Sequence, residues 1–356
     1  NLSIERFKNR IPLSNLVFFT RQLATMYSAG LTLERAIQGL ASEERHPKLK
    51  KVLTNVGENI RKGLSLSEAL QRHPGVFSTL FVSLTKAGEV SGNLDEILDE
   101  LATYLENLDD VRRKVRSAMT YPIFMVVFLF AMMSAMFMWI IPMFSDVYVQ
   151  LGANLPAATR KLVSLSEWIS INFSTVVLSL FGVAAGLWLA SKTRRGGYII
   201  DSIKLKTPVF GSLLNQSILN KFSKTAGILL NAGVPVIEAM NLIAKIVSNR
   251  VYEVAIGDAT EYIRDGFNIT SALRRTEIFP PILLQLSATG EETGELDTLL
   301  DKAADYYYKQ VNALVERMTT LIEPILILMV GVIIGVMVVI TYLPVFYLGA
   351  ALQSGL

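Results

Sequence analysis

The chain contains no cysteine among its 356 residues, which removes disulfide frameworks, thiolate metal sites and thiol nucleophiles from consideration. It contains two histidines, His46 and His73, and each is followed directly by proline. That leaves little material for a histidine-rich metal centre or a Ser-His-Asp triad. We interpret both histidines as turn residues, and we predict neither a catalytic constellation nor a cofactor.

Charge is also scarce. Charged residues make up 18% of the chain and hydrophobic residues 51%, whereas an ordinary soluble domain carries about 25% charged residues. This deficit indicates that part of the surface faces something other than water. The net charge of +3 is too small to indicate a nucleic-acid partner, and we predict none.

Apolar residues are concentrated in three uncharged runs, which are Ile123–Ile141, Phe173–Ala190 and Pro324–Leu352. Each run meets or approaches the ~20 residues that a helix needs to span a bilayer, and a buried helix of a large soluble core is the alternative. The sequence therefore predicts transmembrane helices at 121–142, 173–190 and 323–348. Pro122 and Pro324 are predicted to start the first and third, because the missing N–H of proline costs nothing in a first helical turn.

Lysine and arginine near the ends of these segments set the predicted orientation. They cluster before the first segment, as at Arg112 and Arg116, and after the second, as at Arg194 and Lys204, whereas the tail carries no charged side chain. The predicted cytoplasmic segments are 1–120 and 191–322, and the connector 143–172 and the tail 349–356 are predicted to lie outside. The segments themselves lack ionisable side chains, which argues against an ion pump or a proton-coupled transporter.

One unusual string occurs twice, as AGEVSGNLDEIL at Ala87–Leu98 and as TGEETGELDTLL at Thr289–Leu300. It belongs to a longer duplication, in which one residue is lost in the second copy and Tyr104 then falls on Tyr306. Apolar residues recur at three- and four-residue spacing without sustained alternation. The sequence thus predicts an all-α, polytopic membrane protein with two homologous cytoplasmic helical-bundle domains, each of five or six helices, and three transmembrane helices.

The glycines and carboxylates of the repeated string form the candidate site. The string is no phosphate cradle: the chain has no Gly-x4-Gly-Lys-Ser/Thr, and GEVSG lacks the first glycine of a dinucleotide fingerprint. Three interpretations stay open, namely a helix–helix turn, a docking surface for a partner, and an ion held between Glu89 and Glu291. The candidate residues are Gly88, Glu89, Gly92 and Asp95 in the first copy and Gly290, Glu291, Gly294 and Asp297 in the second.

Short polar residues precede two predicted short helices. Ser65 comes before an apolar helical pattern in the first copy and Asn268 before the equivalent pattern in the second. Serine and asparagine are favoured at N-caps because their side chains accept a backbone N–H of the first turn. We predict that both residues cap these helices.

The third apolar run carries two further candidates. Gly331 and Gly335 form a Gly-x-x-x-Gly pattern, which permits close helix approach and predicts a homo-oligomer or a partner helix. Glu323 stands at the predicted membrane boundary, where its carboxylate either reaches back to water or pairs with a partner chain.

The layout resembles the type II secretion F family of inner-membrane platform proteins. The resemblance rests on two helical domains that each carry AG(L/V), GxxxxxAL and GExxG, arranged as domain, membrane hairpin, domain and final span. It implies a scaffold in the bacterial inner membrane of a type IV pilus or type II secretion machine, with its C-terminus in the periplasm. A hexameric cytoplasmic ATPase, pilins or pseudopilins and other inner-membrane assembly components are the partners that the resemblance implies.

Two other classes of function remain as alternatives. One is a small membrane transporter or channel with cytoplasmic regulatory domains, which would need polar residues in the spans. The other is a membrane enzyme or receptor that uses the paired glutamates.

Overall fold

The structure of the protein is a computed structural model, and it describes residues 11–136, 139, 143, 164, 168, 172, 175, 178–179, 181–183, 185–186, 188–208 and 210–354. The regular secondary structure of these residues is helical, and no strand occurs among them. The predicted all-α class is confirmed to this extent.

The helices follow the duplication. Those of the first copy are α1 (Leu13–Ser28), α2 (Leu33–Glu43), α3 (Pro47–Arg61), α4 (Leu66–Gln71), α5 (Thr79–Ser91) and α6 (Leu94–Ala135). A further helix, α7 (Arg194–Lys206), precedes those of the second copy, which are α8 (Phe210–Asn231), α9 (Val236–Ile246), α10 (Arg250–Arg264), α11 (Ile269–Arg275), α12 (Pro281–Thr293) and α13 (Leu296–Ser354). The helices α8 to α13 repeat α1 to α6 in order, so each copy has six, which is within the predicted five or six.

The chain divides into two compact units. The first takes in the chain up to Lys114 together with Tyr198–Leu314, and the second takes in Val115–Gly197 and Val315–Leu356. Both copies of the bundle therefore lie in the first unit. The domain boundaries 1–120 and 191–322 stay predictions.

Each bundle is built around the same pair of phenylalanines. In the first copy the ring centroids of Phe19 and Phe77 lie 6.0 Å apart, and in the second copy those of Phe222 and Phe279 lie 5.0 Å apart. All four side chains are buried in one hydrophobic core that continues through both copies. Tilted aromatic pairs of this kind add to the stabilisation that burial of the rings already gives.

Polar contacts also join the two copies within the first unit. Lys224 of α8 lies between two carboxylates: its Nζ is 2.5 Å from Asp301 of its own copy and 3.0 Å from Glu100 of the other. Burial disfavours the charged amine, but the hydrogen bonds of Asp301 and Glu100 outweigh burial and raise the pKa of Lys224. The hydroxyl of Tyr308 donates to Asp110 at 2.8 Å, so the two long helices are joined as well.

The helices α6 and α13 are the two that are long and apolar enough to cross a membrane among the described residues. Pro122 lies inside α6 and Pro324 inside α13. Neither helix begins at its proline, and this part of the sequence prediction was wrong. A proline within a helix removes one backbone hydrogen bond, and a long helix with intact turns on both sides continues through that loss. Whether the bilayer begins near these prolines stays a prediction.

The other predicted membrane segments are described only in part. Within 173–190 the described residues are helical. Most of the connector 143–172 lies outside the described residues. The helix α13 continues to Ser354, past the predicted end of the third span at residue 348.

We expect Lys224→Gln to weaken the first unit, because Glu100 and Asp301 then face each other without a cation. Lys224 is 12% exposed, and hydrogen bonds to charged groups contribute about 2 kcal/mol. The control is Lys204→Gln, which removes a pair between Asp201 and a lysine whose side chain is 57% exposed, and we expect a loss of less than about 1 kcal/mol. Chemical unfolding of the two variants tests this, and equal losses of unfolding free energy would contradict it.

The same amine sets a pH dependence. The folded-state pKa of Lys224 lies above its ordinary value of 10.5. The stabilisation that the charged amine gives to the folded first unit is therefore fully present below pH 10.5. It is lost as the pH rises through the folded-state pKa.

Candidate functional site

The repeated string forms a corner between two helices in each copy. Gly92 follows α5 with a φ of 78°, and Gly294 follows α12 with a φ of 77°. This left-handed conformation costs glycine little, and it ends a helix. The long helices α6 and α13 start two residues later, at Leu94 and Leu296.

The first glycine of the string allows the two helices at the corner to approach closely. A Cβ atom on Gly88 would lie 3.1 Å from the Cα of Leu94 and 3.1 Å from the Cβ of Ile97. On Gly290 it would lie 2.7 Å from the Cα of Leu296. The two glycines of the string thus have different roles, since one supplies space and the other supplies a turn.

The glutamate of each string binds the start of a short helix in its own copy. Glu89 accepts the backbone N–H of Leu66 at 2.5 Å and that of Ser67 at 3.2 Å, and the hydroxyl of Ser67 donates to it at 2.5 Å. Glu291 accepts the backbone N–H of Ile269 at 2.5 Å and that of Thr270 at 3.0 Å. The two backbone hydrogen bonds therefore occur in both copies, whereas the hydroxyl bond is described for the first copy alone.

The predicted N-caps satisfy the next donor. The side chain of Ser65 accepts the N–H of Glu68 at 3.2 Å, and Asn268 accepts the N–H of Ser271 at 2.9 Å. Both N-cap predictions are confirmed. In each short helix the first three N–H groups, which have no partner within the helix, are satisfied by one cap and one distant carboxylate. A carboxylate there also complements the helix dipole. We call this set of hydrogen bonds the glutamate latch.

The glutamate latch limits what Glu89 and Glu291 can bind. Both carboxylates already accept hydrogen bonds from the backbone, and each does so within its own copy. No group of three or more histidine, aspartate and glutamate side chains is placed to hold a metal ion in the part of the chain that is described. The geometry therefore supports the helix–helix turn over an ion shared between Glu89 and Glu291.

The remaining candidates are placed as follows. Asp95 is exposed in the first turn of α6, and Asp297 is partly buried in the first turn of α13. Gly331 and Gly335 lie on α13, where a Cβ atom would contact nothing within 4 Å. The side chain of Glu323 lies outside the described residues.

Sequence reasoning missed an ion pair that also occurs in both copies. Arg21 of α1 contacts Asp99 and lies 2.7 Å from Glu106 of α6. In the duplication Arg21 falls on Lys224, and Asp99 falls on Asp301. The hydrogen bond from Arg21 lowers the pKa of Glu106. A basic residue aligned with a basic residue and an aspartate with an aspartate is the signal that could have revealed the pair.

The type II secretion system protein F model matches residues 19–142 and again residues 222–344, which confirms the internal repeat. The type IV pilus assembly protein PilC of Thermus thermophilus is 40% identical over 342 residues, which cover 94% of this chain and 82% of that protein. PilC of Myxococcus xanthus is 36% identical over 339 residues, or 95% of this chain and 81% of that protein. The type II secretion system protein F of Aeromonas hydrophila is 34% identical over 331 residues, or 92% of this chain and 85% of that protein.

The latch predicts different effects for two adjacent glutamates. Glu291→Gln removes the charge that the first turn of α11 binds, and we expect a loss of about 1–2 kcal/mol in unfolding free energy. Glu292→Gln is the matched control, because Glu292 is exposed, and we expect little change. Denaturant unfolding of the full chain in detergent measures both. Equal stabilities of the two variants would rule out the latch.

Proposed function

Because this chain belongs to the type II secretion system protein F family, we propose that it is the inner-membrane platform of a type IV pilus or type II secretion machine. In this role it couples a cytoplasmic ATPase to the insertion of pilin or pseudopilin subunits into the fibre. The platform itself carries no enzymatic activity, and the ATPase supplies the energy.

One observation carries this proposal. Each copy ends in a single helix that starts at a latched corner and contains an apolar run, with 42 residues in α6 and 59 in α13. At 1.5 Å per residue these helices are about 60 Å and about 90 Å long. The hydrocarbon core of a bilayer is about 30 Å thick, so each helix has length for the bundle and for the membrane. Force applied to the bundle can therefore pass along a continuous helix.

The orientation predicted from the basic residues fits this role. We propose that the segments 1–120 and 191–322 are cytoplasmic and that the connector 143–172 and the tail 349–356 are periplasmic. The three membrane helices are then 121–142, 173–190 and 323–348. In this orientation the corners that contain the glutamate latch lie on the cytoplasmic side, which is also the side of the proposed ATPase.

The partners follow from the same arrangement. We propose that the hexameric ATPase docks on the unit that contains both copies and that pilins or pseudopilins contact the membrane helices. Other inner-membrane assembly components surround the platform. Gly331 and Gly335 offer a face for a second copy, because, apart from the adjoining backbone of α13, no atom of the described residues lies within 4 Å of a Cβ built on either glycine.

Site-specific photocrosslinking in cells tests this assignment. The side chain of Val90, within the first repeated string, is 82% exposed, and Glu292 is exposed in the second string. We expect crosslinkers at these two positions to capture the assembly ATPase. A crosslinker at Val339, in the apolar part of α13, serves as the control and should capture pilin or pseudopilin instead.

Deletion of the gene should also abolish fibre assembly or secretion. Normal assembly in a clean deletion would refute the platform function. Capture of the ATPase from Val339 but from neither Val90 nor Glu292 would refute the proposed orientation.

A further inference from the structure

The helix α7 is held to the second copy by one face. The carboxylate of Asp201 accepts the N–H of Arg250, the first residue of α10, at 3.0 Å. Leu205 packs against the hydrophobic core. Because these contacts lie on one side of α7, the opposite side is left without a partner among the described residues of the first unit.

That outer side carries two exposed isoleucines. Ile199 is 57% exposed and Ile203 is 59% exposed. Residues four apart lie on the same face of a helix, so the two side chains form one apolar strip. Arg195 precedes the strip by four residues and Lys206 follows it by three, and both are exposed. The outer face therefore reads cation, isoleucine, isoleucine, cation.

The net charge of this helix is positive. Its basic residues, counting one that comes just before it, are Lys192, Arg194, Arg195, Lys204 and Lys206, and its acid is Asp201. The Asp201 carboxylate is already bound by the N–H of Arg250 and by Lys204 at 2.8 Å. Arg195 and Lys206 thus carry their positive charge on the same side of the helix as the exposed isoleucines.

We propose that the outer face of α7 lies in the headgroup region of an anionic lipid leaflet, with Ile199 and Ile203 at the acyl boundary. An apolar strip flanked by cations is the pattern of a helix that binds in the plane of the interface. Long basic side chains can keep their charged ends among the lipid phosphates while their stems cover apolar surface.

The position of α7 in the chain supports a lipid rather than a protein partner. It begins shortly after the predicted span 173–190, and the inference rests on that part of the proposed function. At the end of the span the Nζ of Lys192 lies 3.5 Å from the ring centroid of Trp188. Tryptophan and lysine are typical of membrane–water boundaries. The apolar strip therefore follows directly on a predicted interface. In the proposed orientation this is the cytoplasmic side, where anionic lipids attract cations.

The absence of cysteine makes the test direct. Ile199→Cys and Ile203→Cys are made singly, and each cysteine is labelled with an environment-sensitive fluorophore. The full chain is reconstituted in vesicles of equal parts phosphatidylcholine and phosphatidylglycerol. The acyl chains of these lipids are brominated, so that they quench a fluorophore that contacts them. We expect both probes to lose most of their emission. Phe128→Cys, exposed in the apolar part of α6, is the positive control for insertion.

Val254→Cys is the matched negative control. Val254 is 49% exposed on α10, close in exposure to the two isoleucines. On its face of the helix the basic Arg250, four residues before it, is offset by the acidic Asp258, four residues after it. We expect its probe to keep its emission. Addition of Arg195→Glu and Lys206→Glu to the Ile199→Cys protein should restore much of the lost emission, because the charges that attract the lipid are reversed.

The outcomes separate this inference from the platform function. Quenching at residue 128 but not at 199 or 203 would overturn the inference and leave the membrane assignment intact. A blue-shifted probe at 199 without quenching by lipid would show that a protein covers the face, which also overturns it. Unchanged quenching after charge reversal would overturn the anionic lipid. An unquenched probe at 128 would instead refute the membrane role itself.

Discussion

The corner in each copy depends on one interaction, in which the carboxylate of a glutamate binds the first turn of a helix 22 residues earlier in the chain. The helix that receives it, α4 or α11, has only six or seven residues, and isolated helices of this length are unstable in water. The latch gives that helix the donor partners it lacks. It also fixes the end of α5 or α12, and therefore the point where the long helix leaves the bundle. Each glycine of the string serves the same corner, since Gly88 and Gly290 allow close approach and Gly92 and Gly294 reverse the chain.

Duplication then supplies this corner twice within one compact unit. The two copies share a continuous hydrophobic core and are further joined by Lys224, which bridges Asp301 of its own copy and Glu100 of the other. One protein of this family thereby presents two long helices whose starting points are both tied to the same packed body. A platform that passes force to a membrane needs such fixed starting points, because a loosely held helix would absorb the force by moving alone.

The sequence predicted what depends on local patterns. Periodicity indicated helices, the repeated string indicated equivalent corners, and Ser65 and Asn268 were recognisable N-caps. Each of these features depends only on a few neighbouring residues. The partners of Glu89 and Glu291 were beyond prediction, since they lie on another helix and depend on tertiary packing. The packing of both copies into one compact unit was not predicted either, because it also depends on tertiary contacts. Pro122 and Pro324 misled the prediction because proline favours a first turn, yet a membrane-spanning helix tolerates it in the interior.

Residue-resolved hydrogen exchange of the full chain tests the latch most directly. The amides of Leu66, Ser67, Ile269 and Thr270 stand at the first two positions of their helices, where helical hydrogen bonding provides no acceptor. If the glutamates bind them, these four amides exchange slowly in the native protein. They become fast in Glu89→Ala and Glu291→Ala, each in its own copy, because alanine has no side-chain acceptor. Exchange at the rate of exposed amides in the unmodified protein would contradict the account.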